Sequence, residues 1–322
     1  MATCKRLVVP WILTCSLSAC RATPDALPPD GPYVLVLGTA QDGGLPHIGC
    51  RCDRCERARR SHSAGRLVTS LLVADPRDGR RFLVDATPDL RWQVERARHH
   101  PRSRRDQGPR PALFDGIFLT HAHMGHYSGL LQLGPEAYSS KEIPTHVSER
   151  MAAFLRTNGP WSLLVENKNL DLQILTTGSW HDLGNHLSVL PITVPHRDEF
   201  SDTFAFMISG PVRSLLYLPD IDKWERWSEP IESWIERVDY ALLDGSFFAD
   251  GEIPGRSMKD IPHPFIQESL ERFSKLAPEQ RAKIHFTHLN HSNPACDPGS
   301  KERRAVEAAG MHVAEDGMIF EL

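Results

Sequence analysis

Residues 118–129 read Phe-Leu-Thr-His121-Ala-His123-Met-Gly-His126-Tyr-Ser-Gly. An apolar run that feeds straight into three histidines constrains this chain more than any other feature. In extended backbone, residues two apart face the same side, so His121 and His123 converge on one point. The chain then turns at Gly125, and His126 begins a helix. Three histidines within six residues are awkward as core side chains, because each ring needs partners for two nitrogens. Neutral imidazole is a good ligand for zinc, iron or manganese. The segment is expected to build a metal centre at the end of a strand.

The rest of the pattern surrounds that segment with alternating strands and helices. Strands read at 33–38, 69–74, 81–84, 117–120, 172–176, 187–194, 204–208, 214–218, 240–243 and 283–287. Helices read at 90–98, 126–133, 148–157, 264–275 and 301–309, with Pro264 suited to a first helical turn. The order implies a layered α/β protein. Short turns between several strands favour mixed sheets over all-parallel ones. A length of 322 residues suits one large domain or two small ones. The net charge of −4 gives no reason to expect a nucleic-acid partner.

The first twenty residues follow other rules. Lys5 and Arg6 precede an uncharged apolar run that ends in Leu17-Ser18-Ala19-Cys20. The run is too short to span a bilayer and has a signal-peptide pattern. Leu-Ser-Ala-Cys resembles a bacterial lipobox. That resemblance implies a signal at 1–20, a lipid on Cys20, a linker at 21–31 and a folded domain at 32–322. The expected location is the periplasmic face of a membrane. A plain cleaved signal is the alternative, and no other segment reads as long and apolar enough to cross a membrane.

Of seven cysteines, three lie close together in Cys50-Arg-Cys52-Asp-Arg-Cys55, inside a Gly-rich loop. Three thiolates and one further ligand make a tetrahedral structural zinc site. A disulfide with a spare thiol is the alternative, although bridging residues so close strains the geometry.

Thr-His-Ala-His-Met-Gly-His resembles the His-x-His-x-Asp-His motif of the metallo-β-lactamase superfamily. The resemblance implies an αββα sandwich, two mixed β-sheets flanked by helices, with metal ligands at one edge. It also implies further ligands after later strands: His196, Asp220 and His288, in the family's order. His121, His123 and His196 would hold one metal. His126 and His288 would hold a second, with Asp220 bridging, and Asp220 and His288 would be the catalytic residues. One or two Zn2+, Mn2+ or Fe ions are expected there. The motif departs from the family at Gly125, where the family has Asp. The second site is then left with three protein ligands and would be weaker or empty; Asp198 and Asp202 are near enough to His196 in sequence to substitute, with surface or turn residues as the alternative reading.

The cysteine loop is similar to two groups within that fold, the pyrroloquinoline quinone biosynthesis B proteins and the cyclic phosphodiesterases of the phosphonate pathway. The first resemblance extends over most of the chain after residue 32. Its markers include 36–44, Asp85-Ala-Thr-Pro-Asp89 and 290–294. By the second resemblance His291 is the fourth ligand of the structural zinc, with His47 and His263 as alternatives. The three histidines and the export signal make the chain a relative of the quinone proteins rather than one of them.

The implied activity is metal-dependent hydrolysis of a phosphodiester or other ester, on a small-molecule substrate. An iron-dependent oxidoreductase and a non-catalytic, lipid-anchored metal-binding protein are the alternatives, and a homodimer is compatible with either. Asp85 and Asp89 are expected to orient metal-bound histidines or to cap a helix. Trp224, Trp227 and Trp234 read as core or as a lid. Asp244 reads as a turn residue, and Arg96 to Arg110 as a solvated loop.

Overall fold

Tyr33–Gly38 (β1) is buried along its whole length, which is why Tyr-Val-Leu-Val-Leu-Gly reads as continuously apolar instead of alternating. The computed structural model describes residues 28–61, 64–100, 113–253, 255, 257–258 and 261–322. The expected signal and Cys20 lie outside the described residues, as do most of the linker and 101–112.

Beside β1 lie Ser70–Asp75 (β2), Arg80–Val84 (β3), Gly116–Phe118 (β4), Ile143–Val147 (β5) and Leu170–Ile174 (β6). A second group comprises His181–Gly184 (β7), Leu187–Val194 (β8), Thr203–Ser209 (β9), Ser214–Leu218 (β10), Tyr240–Asp244 (β11), Ile284–Thr287 (β12) and His312–Val313 (β13). Ile319–Glu321 (β14) returns to the first group. Among the described residues these form two seven-stranded sheets, ordered β14-β1-β2-β3-β4-β5-β6 and β13-β12-β11-β10-β9-β8-β7. Both are mixed. β2 pairs antiparallel with β1 and β3, whereas β3, β4, β5 and β6 run parallel. In the second sheet β7 to β10 are antiparallel, and β10 to β13 parallel.

Side-chain alternation along the strands sorts the apolar residues into layers. Val34, Val36, Val73, Phe118, Phe206 and Tyr217 pack between the two sheets. Leu35, Leu37, Leu83 and Ile117 face the other way, under Leu130, Met151 and Leu155. Leu216, Leu218 and Leu243 pack beneath Trp224, Trp234, Ile266 and Phe273. Two sheets with helices on both outer faces are the αββα sandwich expected from the sequence. Burying each such side chain is worth about 1.5–3 kcal/mol before the cost of ordering the chain.

The helices are Asp53–Arg60 (α1), Leu90–Arg96 (α2), Met124–Tyr127 (α3), Glu149–Thr157 (α4), Trp161–Glu166 (α5), Ile231–Glu236 (α6), Ile266–Phe273 (α7), Pro278–Arg281 (α8) and Lys301–Ala308 (α9). Ser148 caps α4 by accepting from the Met151 N–H. Three expectations are corrected, and one pair of alternatives is decided. Pro264 stands before the helix, because Phe265 is the N-cap of α7. His126 lies inside a single turn, with 3-10 helix from Ser128 to Leu133. The three tryptophans are buried in the core and form no lid. The start of the supposed Arg-rich loop is ordered: Arg96 donates to Leu37 O and pairs with Asp316, while His100 is buried against Tyr33. No helix among the described residues is long and apolar enough to cross a membrane.

The strand directions bring one set of C-terminal ends to a common edge. β1, β3, β4, β8, β10, β11 and β12 deliver Asp42, Asp85, His121, His196, Asp220, Asp244 and His288 there. Gly129 closes the turn after His126 against β3: a Cβ at this position would meet the Thr87 carbonyl oxygen at 2.0 Å.

Candidate metal centre

Asp220 lies at the middle of the edge, just beyond β10. Its Oδ2 is 2.9 Å from His126 Nε2, 3.1 Å from His288 Nε2 and 3.9 Å from His121 Nε2. Its Oδ1 is 3.6 Å from His196 Nε2 and 3.7 Å from His263 Nδ1. His121 Nε2 and His123 Nδ1 are 2.9 Å apart. The ligand atoms of His121, His123 and His196 lie within 4.8 Å of one another, as do those of His121, His126 and Asp220. All six residues named from the sequence for this centre are therefore brought together.

The outer nitrogens of four of these rings are held by other groups, while His196 Nδ1 is buried without a partner. His126 Nδ1 pairs with Asp85 Oδ2 at 2.8 Å. Thr120 Oγ1 lies 3.0 Å from His121 Nδ1 and donates to Asp85. His288 Nδ1 meets Ser246 Oγ at 2.9 Å, and His123 Nε2 meets Glu199 Oε2 at 3.1 Å. Such contacts fix tautomer and ring direction, leaving the inner nitrogen's lone pair facing the cluster. Asp85 and His288 both sit at positive φ, 66° and 59°. Left-handed backbone is uncommon for residues other than glycine and points to a site held in place by its surroundings.

Several inner atoms are buried without a hydrogen-bond partner: Asp220 Oδ2, the Nε2 of His126, His196 and His288, and Asp42 Oδ1. The short approaches to Asp220 lack hydrogen-bond alignment. Leaving one buried polar group unpaired costs roughly 1–3 kcal/mol, so this many together imply a guest. The protonation states agree. Burial, reinforced by neighbouring imidazoles, pushes His121 well below its usual range. Burial also pushes His196 down to about 3 and lowers His288. Burial works against ionisation of Asp220, but His288, His126 and His121 outweigh it and hold the carboxyl well below its usual range. Neutral imidazole and ionised carboxylate are the states a metal requires. His126 goes the other way: burial lowers it, but Asp85 and Asp220 outweigh that and raise it. A cation at its Nε2 would stand where that proton stands. The donor set fits a divalent metal.

Four sequence expectations are redirected. His263, an alternative ligand for the thiol site, lies here instead, with Nδ1 2.7 Å from Asp244 Oδ2. Burial opposes its protonation, but Asp244 outweighs burial and raises it. Asp244 thus does more than turn the chain, although it also accepts from the Ser246 N–H. Asp198 and Asp202 do not replace the motif carboxylate: Asp198 accepts from Thr203 Oγ1, and Asp202 pairs with Arg150. Asp89 holds the N-cap position of α2, but its side chain accepts from the Val68 N–H and not from the helix. Sequence reasoning missed Asp42, Glu199 and Ser246. Asp42 had a legible signal, because it closely follows a buried strand, as Asp220 does.

The thiol cluster is separate. The sulfurs of Cys50, Cys52 and Cys55 lie within 4.8 Å of one another, and all three are free thiols, so the disulfide alternative is not formed. Burial raises Cys55 to about 12, whereas neighbouring thiols and backbone N–H groups outweigh burial and lower Cys52. Without a cation, the cluster cannot ionise all three thiols together. The His47 N–H donates to Cys55 Sγ at 3.4 Å, and the rings of His47 and His291 stack at 4.2 Å. His291 Nδ1 is buried and unpaired. A groove of about 900 Å³ lined by Phe82, Lys141, His146 and His181 shares no residue with either centre.

Comparisons with known proteins agree with the fold. The family model described as the beta-lactamase superfamily domain matches residues 80–286. Coenzyme PQQ synthesis protein B of Nitrosococcus oceani is 27% identical over 317 residues, covering 88% of this chain and 97% of that protein. The same-named protein of Methylococcus capsulatus is 28% identical, covering 88% and 98%. Among solved structures, Zn(2+)-bound PqqB from Methylobacterium extorquens superposes with a TM-score of 0.76 at 24% identity, covering 90% of this chain and all of that one (100%). A diphosphatase from the PhnP family superposes with a TM-score of 0.62 at 22% identity, covering 90% and 97%.

Proposed function

The chain belongs to the beta-lactamase superfamily, and on that premise we propose that it is a metal-dependent hydrolase acting on a phosphodiester or other ester. The observation that carries the reading is the convergence of His121, His123, His126, His196 and His288 on Asp220. His121, His123 and His196 would hold one cation, and His126 and His288 a second, with Asp220 between them. When bound, such a metal lowers the pKa of water to about 7 and polarises the bond under attack.

The chain's own residues supply the rest. Asp85, Thr120, Ser246 and Glu199 hold the imidazoles in the tautomers that ligation needs. Asp220 stays ionised and orients groups on both sides of the cluster. His263, fixed by Asp244, holds a proton beside the reacting atoms. His123 is the ligand whose ring is partly exposed, whereas the His196 ring is buried, so substrate would enter on the His123 side. Cys50, Cys52 and Cys55, with His291, would hold a structural zinc.

Hydrolysis of bis(p-nitrophenyl) phosphate and of simple carboxylic esters tests the proposal. Turnover that a chelator abolishes and added Zn2+ or Mn2+ restores supports it. Metal-loaded protein inert on the whole panel contradicts it and favours a binding role. The curated relatives are named for coenzyme PQQ synthesis, and a second reading is an iron-dependent oxidoreductase, since imidazole and carboxylate also suit iron. Bound iron with oxygen-dependent turnover would select that reading.

We further propose export and lipid anchoring through Cys20, on the sequence pattern of the first twenty residues. Loss of membrane fractionation in Cys20→Ser tests it.

A further inference from the structure

We propose that Asp42 is a metal ligand, completing a second divalent-cation site with His126, His288 and Asp220, so that the histidine cluster binds two cations despite the glycine at position 125. The inference rests on the metal-centre reading above and adds a ligand from a different part of the chain.

Asp42 Oδ1 is buried without a partner, and it lies 3.8 Å from His126 Nε2. The ligand atoms of Asp42, His126 and His288 are within 4.8 Å of one another. Asp220 Oδ2 adjoins both histidines at 2.9 and 3.1 Å. Two imidazole nitrogens and two carboxylate oxygens are a donor set for zinc, manganese or iron. Each of these four atoms is buried and unpaired, a costly arrangement that one cation would relieve.

The backbone fixes the encounter. The loop after β1 is tied to the loop after β12: Gln41 N donates to Leu289 O at 2.9 Å, and Leu289 N to Thr39 O at 2.8 Å. The Asn290 amide donates to Gln41 Oε1, and Gly44 N to Gln41 O at 2.8 Å closes the turn. Asp42 and His288 are thus neighbours by construction, each one residue from that tie.

Gly125 makes the arrangement possible. A Cβ at 125 would fall 2.0 Å from Asp42 Oδ1 and 2.8 Å from Asp42 Cα. No side chain at 125 coexists with Asp42 in its place, and the Asp42 carboxylate fills the space that an aspartate at 125 would use. The glycine is the complement of the relocated carboxylate, and the second site keeps four protein ligands.

The test is cation stoichiometry and affinity, read by elemental analysis and chelator competition with Zn2+ and Mn2+ on the full chain. The variants are Asp42→Asn, Asp42→Ala and the double exchange Asp42→Gly/Gly125→Asp. Wild type is expected to bind two cations at the histidine cluster. Both single variants should lose one, or bind it roughly tenfold or more weakly, while keeping the thiol-site zinc and the His121-dependent cation. The exchange should restore the second cation. Unchanged stoichiometry and affinity in Asp42→Asn and Asp42→Ala would overturn the proposal, whether or not the exchange folds. If His121→Ala also leaves the cation content unchanged, the metal-centre reading itself fails. If His121→Ala loses a cation and the Asp42 variants do not, only the role of Asp42 fails.

Discussion

Asp85 Oδ2 lies 2.8 Å from His126 Nδ1, with both side chains wholly buried. The contact sets the outer face of the ring and turns Nε2 toward Asp220. Asp85 also accepts from the Thr120 N–H at 2.8 Å and from Thr120 Oγ1. Asparagine tolerates the left-handed backbone at this position but offers His126 only a neutral partner. Asp85→Asn should therefore weaken cation binding by about 10–100-fold while the chain stays folded. Chelator competition, with circular dichroism as the control, checks this.

The strands that carry ligands were legible because each is a buried apolar run ending at a histidine or aspartate. Other elements gave weak signals. β5 contains Pro144, which argues against a central strand. β7 is short and polar, and β13 has two residues. α1 is dominated by charge and buries only Cys55 and Ala58. At the site, motif order brought out His121, His123, His126, His196, Asp220 and His288, since each follows its strand directly. Asp42 also follows a buried strand closely, but its encounter with His288 depends on the loops after β1 and β12 meeting, which local sequence does not encode. Glu199 was passed over for its neighbour Asp198 for the same reason: only the folded loop shows which carboxylate reaches His123.

Cys55 is the buried member of the thiol cluster, and its sulfur accepts from the His47 backbone. Cys55→Ser should remove one zinc per chain and lower the Tm by at least about 5 °C, leaving the cation at the histidine cluster in place. Elemental analysis beside a melting curve separates the two effects. Loss of both metals would mean that the thiol loop holds the histidine edge together.

Burial, with His312 adding repulsion, pushes His285 down to about 4; burial and His181 do the same to His146. Unfolded histidine titrates near 6.5, so between those values the unfolded chain binds protons that the native chain does not. Stability from these residues is complete above about pH 6.5 and is lost as pH falls toward 4, on the order of 3 kcal/mol for each. Urea unfolding from pH 7.5 to 4.5 should show a shallower acid decline in His285→Gln than in wild type. Equal slopes would remove His285 from the account.

The central claim is that the histidine edge binds metal, and His121 belongs to two of its donor sets. The direct measurement is the metal content of the purified protein by elemental analysis, with and without His121→Ala. The account predicts two or more metals per chain in wild type, with loss from the variant while the thiol-site zinc is retained. One zinc per chain, unchanged in His121→Ala, would contradict it: the histidine cluster would then be empty, and a binding or structural role would replace hydrolysis.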